Sequence, residues 1–256
     1  MRIQERFDDL KHKNEAALIL YYTAGFPTLK ESLETIQQMA DSGADIIEIG
    51  FPFSDPIADG ATIQAASHAA LEGGISLKRI MKGLKGFTVD CPLVVMSYLN
   101  PLLAYGLESL LSDFKETGIT GLIIPDLPVE EAESIKQLCE KNSIDLIFLI
   151  TPTSGEERIR LITEQCSGFV YCVSLTGITG ERDALSKQVL PFVRQVKSNT
   201  KKPVAVGFGI TTPEHIERLR DEVDGVIIGS RVIKASMDKE NLNQLIRDFK
   251  EATRRS

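Results

Sequence analysis

The stretch Ala44-Asp-Ile-Ile-Glu48-Ile-Gly50-Phe-Pro-Phe-Ser-Asp55-Pro-Ile-Ala-Asp59-Gly60 joins a short apolar run to a stiff, proline-rich loop. Residues 45–51 read as a strand buried on both faces, the kind found in a parallel sheet covered by helices. An acid inside that run, Glu48, is costly unless it is paired, hydrated or used. Asp59 precedes Gly60 and a helical stretch beginning near Ala61, so one reading of it is a helix cap. A second reading joins the two acids at one pocket. There they divide acid and base roles if their surroundings push their pKa values apart. Desolvation disfavours the charged form, so burial is expected to raise Glu48 relative to Asp59. Asp55, between Ser54 and Pro56, reads as a residue that shapes the loop or meets a partner.

Working outward, similar apolar runs recur along the chain: 17–23, 92–98, 121–125, 145–150, 168–173, 203–208 and 225–229. Longer amphipathic segments lie between most of them. Residues 29–42 follow Pro27 and stop at Gly43, which are helix start and stop signals. Residues 129–142 place Ile135 and Leu138 on one face. Thr212-Pro213 reads as an N-cap followed by proline. The stretch 60–87 is too long for one helix and is expected to hold two. Eight strands alternating with helices predict a parallel sheet with short connections. No GxGxxG follows the first strand, which argues against an open doubly wound sheet. The 256 residues match the roughly 250 that a (β/α)8 barrel needs. The expectation is an α/β fold, a (β/α)8 TIM barrel in one domain spanning 1–256, with extra short helices. Residues 2–14 add an N-terminal helix, with Ile3, Phe7 and Leu10 at helical spacing to cover the barrel's N-terminal end.

The net charge of −7 argues against a nucleic-acid or anionic-membrane surface. The four cysteines, Cys91, Cys139, Cys166 and Cys172, form no CxxC pair and read as buried free thiols. His12, His68 and His215 lack ligand-like spacing, so no metal site is expected. The first ten residues lack the apolar core of a signal peptide, and no run approaches the ~18 residues of a membrane span. A soluble, cytoplasmic protein is expected.

In a barrel of this kind the chemistry sits at the C-terminal ends of the strands. Val206-Gly-Phe208-Gly209-Ile210 and Ile227-Ile-Gly229-Ser230-Arg231 end the last two runs. Loops after strands seven and eight, with a helix N-terminus, are the recurrent phosphate site of these barrels. Ligand-free tight turns are the plainer reading. Ser174-Leu-Thr-Gly-Ile-Thr-Gly-Glu-Arg182 reads as a mobile lid able to donate to phosphate, or as an ordinary flexible loop.

The chain resembles the tryptophan synthase alpha subunit family. The resemblance runs through YYTAGFP, GFPFSDPIADG, Tyr98-Leu-Asn-Pro with Ala104-Tyr-Gly106, IPDLPVEE, ITPTS, VSLTGITGER, GFGI and IIGS, in family order. It implies that Glu48 is the acid/base and that Asp59 holds the indole N–H. It implies that Tyr21, Ile150, Tyr171 and Phe208 line the indole or glycerol pocket. It implies a phosphate held by Gly180, Gly209, Gly229 and Ser230, under a lid carrying Thr179. Two positions depart from the pattern. Phe26 stands where many relatives have Asp, and Leu175 where some have Arg.

The reaction implied is retro-aldol cleavage of indole-3-glycerol phosphate to indole and glyceraldehyde 3-phosphate, with no metal or organic cofactor. The partner implied is a beta subunit carrying pyridoxal phosphate, in an alpha2-beta2 heterotetramer. Two surfaces are expected to meet it: the proline-stiffened loop 52–56, and Leu102, Leu103 and Tyr105 in a strand-end loop. Related phosphate-binding barrels, such as indole-glycerol-phosphate synthase and phosphoribosylanthranilate isomerase, lack FPFSDPIADG. A barrel retained only as a binding subunit is disfavoured by the intact acids. No strand-end lysine resembles the nucleophile of a Schiff-base aldolase.

Overall fold

The computed structural model describes residues 1–173, 184–207 and 209–255. Its strands are β1 (Ala17–Thr23), β2 (Ile46–Gly50), β3 (Leu93–Met96), β4 (Ile119–Ile123), β5 (Asp145–Ile147), β6 (Leu149–Ile150), β7 (Val170–Val173), β8 (Val204–Gly207) and β9 (Gly225–Ile228). All paired neighbours are parallel, in the order β5-β4-β3-β2-β1-β9-β8-β7-β6. The two edge segments, β5 and β6, are consecutive in sequence with only Phe148 between them. The sheet therefore returns on itself as a (β/α)8 barrel whose fifth strand is split.

The continuous apolar runs follow from this closure, because each strand buries both faces. One face turns inward. Ala17, Ile19, Ile46, Val94, Ile123, Ile147 and Ala205 share a cluster with Ile3, Phe7 and Leu10 of α1 (Ile3–His12). The Phe7 ring lies 5.9 Å from that of Phe169. Helix α1 thus fills the N-terminal mouth, as its spacing predicted. The other face packs under the helices: Leu18, Leu20, Ile47, Ile49 and Leu122 belong to the outer cluster.

The outer helices are α2 (Leu29–Asp41), α3 (Ala61–Glu72), α4 (Leu77–Leu84), α5 (Leu99–Tyr105), α6 (Leu107–Thr117), α7 (Glu133–Lys141), α8 (Glu156–Gln165), α9 (Ala184–Ser198), α10 (Pro213–Leu219), α11 (Ser230–Met237) and α12 (Leu242–Ala252). Thr28 caps α2 by accepting from the Glu31 N–H. The stretch 60–87 holds two helices, as expected.

Two local expectations need correction. Residues 129–142 do not form one helix: a 3-10 turn, Val129–Glu131, precedes α7. Tight bonds from Glu131 N–H to Pro128 O and from Ala132 N–H to Val129 O account for the break. The segment 100–105 is helix α5 rather than a loop. Pro101 sits in its first turn, where a missing N–H costs little. Leu102 is buried and Leu103 is 55% exposed. The expected lid 174–182, with Leu175, Thr179 and Gly180, lies outside the described residues, as does Phe208.

All four cysteines are buried and free. Among the described residues no helix is long and apolar enough to cross a membrane.

Candidate active site

Strand alternation sends Ile47 and Ile49 outward to the helices and Glu48 inward, level with Tyr21 on β1 and Val94 on β3. Glu48 is 1% exposed, and its Oε2 finds no hydrogen-bond partner among the described residues. Burial first, and the charge of Asp59 second, push its pKa up to about 8. Two tyrosine rings lie against it. The Tyr21 hydroxyl is 3.3 Å from Thr23 Oγ1. Burial raises both Tyr21 and Tyr171, so both stay neutral at physiological pH. Glycines make room for the rings. A Cβ on Gly50 would stand 1.9 Å from the Tyr21 hydroxyl, and one on Gly207 would stand 2.5 Å from that of Tyr171.

Asp59 ends the proline-rich loop. The N-cap of α3 is Gly60, so Asp59 lies one residue outside the helix and its carboxylate is not the cap. The Tyr98 side chain stands close to the end of the loop, at Ala58. Burial raises the Asp59 pKa to about 6, with the neighbouring Tyr98 hydroxyl acting to lower it. The order anticipated from burial therefore holds, with Glu48 above Asp59. The Ala58 N–H donates to the Tyr98 hydroxyl oxygen at 2.8 Å, and the Phe53 ring stands 5.3 Å from the Tyr98 ring. The Asp59 backbone is held separately: its carbonyl accepts from Gln64 Nε2 at 2.9 Å.

Glu48, Asp59, Tyr21 and Tyr171 line one cavity of about 100 Å³ at the C-terminal end of the strands. At the far side the same cavity meets Gly209, Gly229 and Ser230. Gly229 is the N-cap of α11 and Ser230 its first residue, so free N–H groups of the first turn face this end. A Cβ on Gly229 would come within 3.2 Å of the Tyr21 side chain. Gly209 adopts φ +77°, a left-handed conformation that favours glycine.

Ile150 does not line this cavity and needs correction. It is fully buried in the outer, helix-facing cluster, while Leu149 lines the cavity. The cause is the two-residue alternation: Ile147 points inward, so Leu149 does too, and Ile150 points out. Sequence reading also passed over Tyr98. The Tyr98-Leu-Asn-Pro segment was visible, but nothing in it says that the tyrosine reaches the proline-rich loop at Phe53 and Ala58.

The sequence matches the model of the family described as Tryptophan synthase alpha chain over residues 7–255. The chain belongs to the tryptophan synthase alpha chain family. A tryptophan synthase alpha chain of Methanosarcina mazei is 47% identical over 254 residues, covering 97% of this chain and 93% of that one. One of Thermoanaerobacter sp. is 42% identical, covering 97% and 95%. Among solved structures, tryptophan synthase of M. tuberculosis in an aminoacrylate- and BRD0059-bound form superimposes with a TM-score of 0.91 at 33% identity. It covers 100% of this chain and 99% of that one. Tryptophan synthase subunit alpha of Legionella pneumophila gives a TM-score of 0.87 at 33% identity, covering 98% of each. The activity is that of the tryptophan synthase alpha family: a carbon–carbon lyase reaction of tryptophan biosynthesis, the retro-aldol cleavage of indole-3-glycerol phosphate to indole and glyceraldehyde 3-phosphate.

Proposed function

We propose that Glu48 and Asp59 divide the proton chemistry of this cleavage, and the observation that carries it is that the two acids line one cavity, Glu48 buried inside the barrel and Asp59 on the loop that follows its strand. At pH 7 Glu48, near 8, is a neutral acid and Asp59, near 6, is a carboxylate. Glu48 donates its proton to ring carbon C3 of the indole. Positive charge then builds on the ring nitrogen, and the Asp59 carboxylate accepts the N–H and stabilises it. Glu48, now a carboxylate, takes the proton of the hydroxyl on the carbon attached to the ring. The C–C bond breaks, the hydroxyl carbon becomes the aldehyde, and the bonding pair returns to the ring as indole. Glu48 ends protonated, so the step closes without a metal or organic cofactor. Positioned proton transfer of this kind is worth about 10²–10⁴-fold.

Tyr21, Tyr171 and Leu149 supply the apolar walls for the ring. Gly209, Gly229 and Ser230 receive the phosphate by backbone N–H and hydroxyl, where an anion meets the favourable end of the α11 dipole. By family resemblance Phe208 joins the walls, and Thr179 and Gly180 the phosphate and lid. The partner is a beta subunit that holds pyridoxal phosphate and receives the indole, in an alpha2-beta2 assembly in the cytoplasm.

Indole release by Glu48→Gln and Asp59→Asn tests the division of roles. Both are expected to fall at least 10²-fold with the fold intact. Asn is itself a good helix cap. Wild-type turnover in Asp59→Asn would therefore sink the catalytic role of Asp59.

A further inference from the structure

The proposed phosphate end of the cavity is short of positive charge. At pH 7 the cavity already carries the Asp59 carboxylate, and a phosphate monoester, with a second pKa of about 6, brings up to about two negative charges more. The N-terminus of α11 answers with a partial charge of only about +0.5. Among the described residues that line the cavity, Arg231 alone carries a formal positive charge. Local rules do not favour it there. Arg231 is the second residue of α11, in a first turn that holds no acid, and a cation in that turn opposes the helix dipole. The guanidinium is met by Glu240, beyond the far end of the same helix. Nη1 donates to Oε1 at 3.1 Å and Nη2 to Oε2 at 2.5 Å. The Arg231 side chain is 21% exposed and that of Glu240 39%. An ion pair this open to water contributes little stability. Nor does it use up the guanidinium, which has five N–H donors, of which Glu240 takes two.

We propose that Arg231 is a further phosphate-binding residue, a cation that Glu240 holds in reserve and that turns to the substrate's phosphate when it enters the cavity. A phosphate dianion attracts the guanidinium more strongly than a single carboxylate does, and its oxygens suit the planar fork two at a time. The inference rests on the reading of Gly209, Gly229 and Ser230 as the phosphate end. Backbone N–H groups there fix where the phosphate sits. Arg231 supplies the charge they lack, and so makes the site select a phosphate-bearing molecule over a neutral one of similar shape.

The test uses glycerol 3-phosphate as a probe that bears a phosphate and indole as one that does not. Each is titrated into the full chain, with ¹⁵N NMR locating it. Arg231→Gln should weaken glycerol 3-phosphate about 10-fold, the loss of one charge-assisted bond, and leave indole within about twofold. In turnover the loss should appear in the KM for indole-3-glycerol phosphate and hardly in kcat, because a bond made alike before and during cleavage changes binding alone. Arg231→Lys keeps the charge and should restore most of the affinity. Glu240→Gln releases the guanidinium and should tighten glycerol 3-phosphate about threefold. The opposite signs are what a structural role would not give: a pair that only braces the two ends of α11 predicts that both variants weaken the probe alike. Equal weakening, or an affinity unmoved by Arg231→Gln, overturns the role of Arg231, while shifts at Gly209 and Gly229 keep the phosphate end in place. If Arg231→Gln folds poorly, Glu240→Gln decides, and an unchanged or weaker affinity there overturns the proposal. Glycerol 3-phosphate shifting neither Gly209 nor Gly229 in the wild-type chain defeats the reading of the phosphate end, and this inference with it.

Discussion

Glu48 sets the pH behaviour of the molecule, because it is buried without a hydrogen-bond partner for Oε2 among the described residues. The proposed roles need Glu48 protonated and Asp59 ionised. kcat/KM should therefore rise through about pH 6 and fall through about pH 8, the two apparent values belonging to the coupled pair. A profile flat from pH 5 to 9 would dissociate the pair from the chemistry. The same residue affects stability. Its carboxyl titrates near 4.5 when exposed and near 8 when folded. The stability it contributes as a neutral acid is full below about pH 4.5 and is lost as pH rises through 8. Glu48→Gln cannot ionise and escapes that loss. The variant should match wild type in thermal melts at pH 5 and exceed it at pH 8.5, by on the order of 3 kcal/mol. A stability difference that does not change with pH would show that the site is better hydrated than the structure has it. At this scale the sequence was legible where a residue violates a pattern, as an acid does in an apolar run. It was silent where the meaning is a long-range contact. Tyr98 reaches Ala58 only because β3 and the loop after β2 end side by side. Gly50 and Gly207 matter only because tyrosines from neighbouring strands lie over them. Ile150 went astray because one residue of register separates the inner face from the outer.

Elements were easier to read than contacts, because periodicity and capping are local. The eight apolar runs all became strands, and α1 was visible from Ile3, Phe7 and Leu10 alone. The departures came from short-range bonding that periodicity does not carry. A turn closed on Pro128 splits the 129–142 segment, and Phe148 interrupts the fifth strand. Helix α1 lies at the end of the barrel opposite the acids, which separates folding from chemistry. Phe7 is 5% exposed and packs on Phe169. Phe7→Ala should cost about 3–5 kcal/mol of stability. For a chain of this size that corresponds to a fall in Tm on the order of 10 °C. kcat at 25 °C should stay within about twofold of wild type, since Phe7 itself does not line the cavity. A large fall in kcat with an unchanged Tm would contradict the role given to α1.

The whole molecule presents the candidate cavity, the loop 51–59 and helix α5 at the same end, because all follow the C-terminal ends of strands. Among the described residues, large apolar side chains exposed there are few. Ile57 is 83% exposed and Leu103 55%. Leu102 is buried and Tyr105 is half-buried, its hydroxyl donating to Asp113 at 2.5 Å. Of the segment 100–105, Leu103 is thus the residue left to meet a partner, with Ile57 beside the proline pair of the loop. Exposed apolar side chains next to an active-site mouth mark an interface more often than chance, and a proline-stiffened loop loses little entropy on docking. The proposed beta subunit would cover this end, where indole leaves the cavity. Mixing the chain with a pyridoxal-phosphate beta subunit should give a complex in sedimentation velocity at micromolar concentration and raise the rate of indole release. Ile57→Asp and Leu103→Asp each place a charge where burial would leave it unpaired. Each should weaken the complex by about 2 kcal/mol or more, roughly 30-fold in Kd, while leaving the isolated chain's turnover and melting unchanged. Binding undisturbed by both substitutions would move the interface to another face of the barrel.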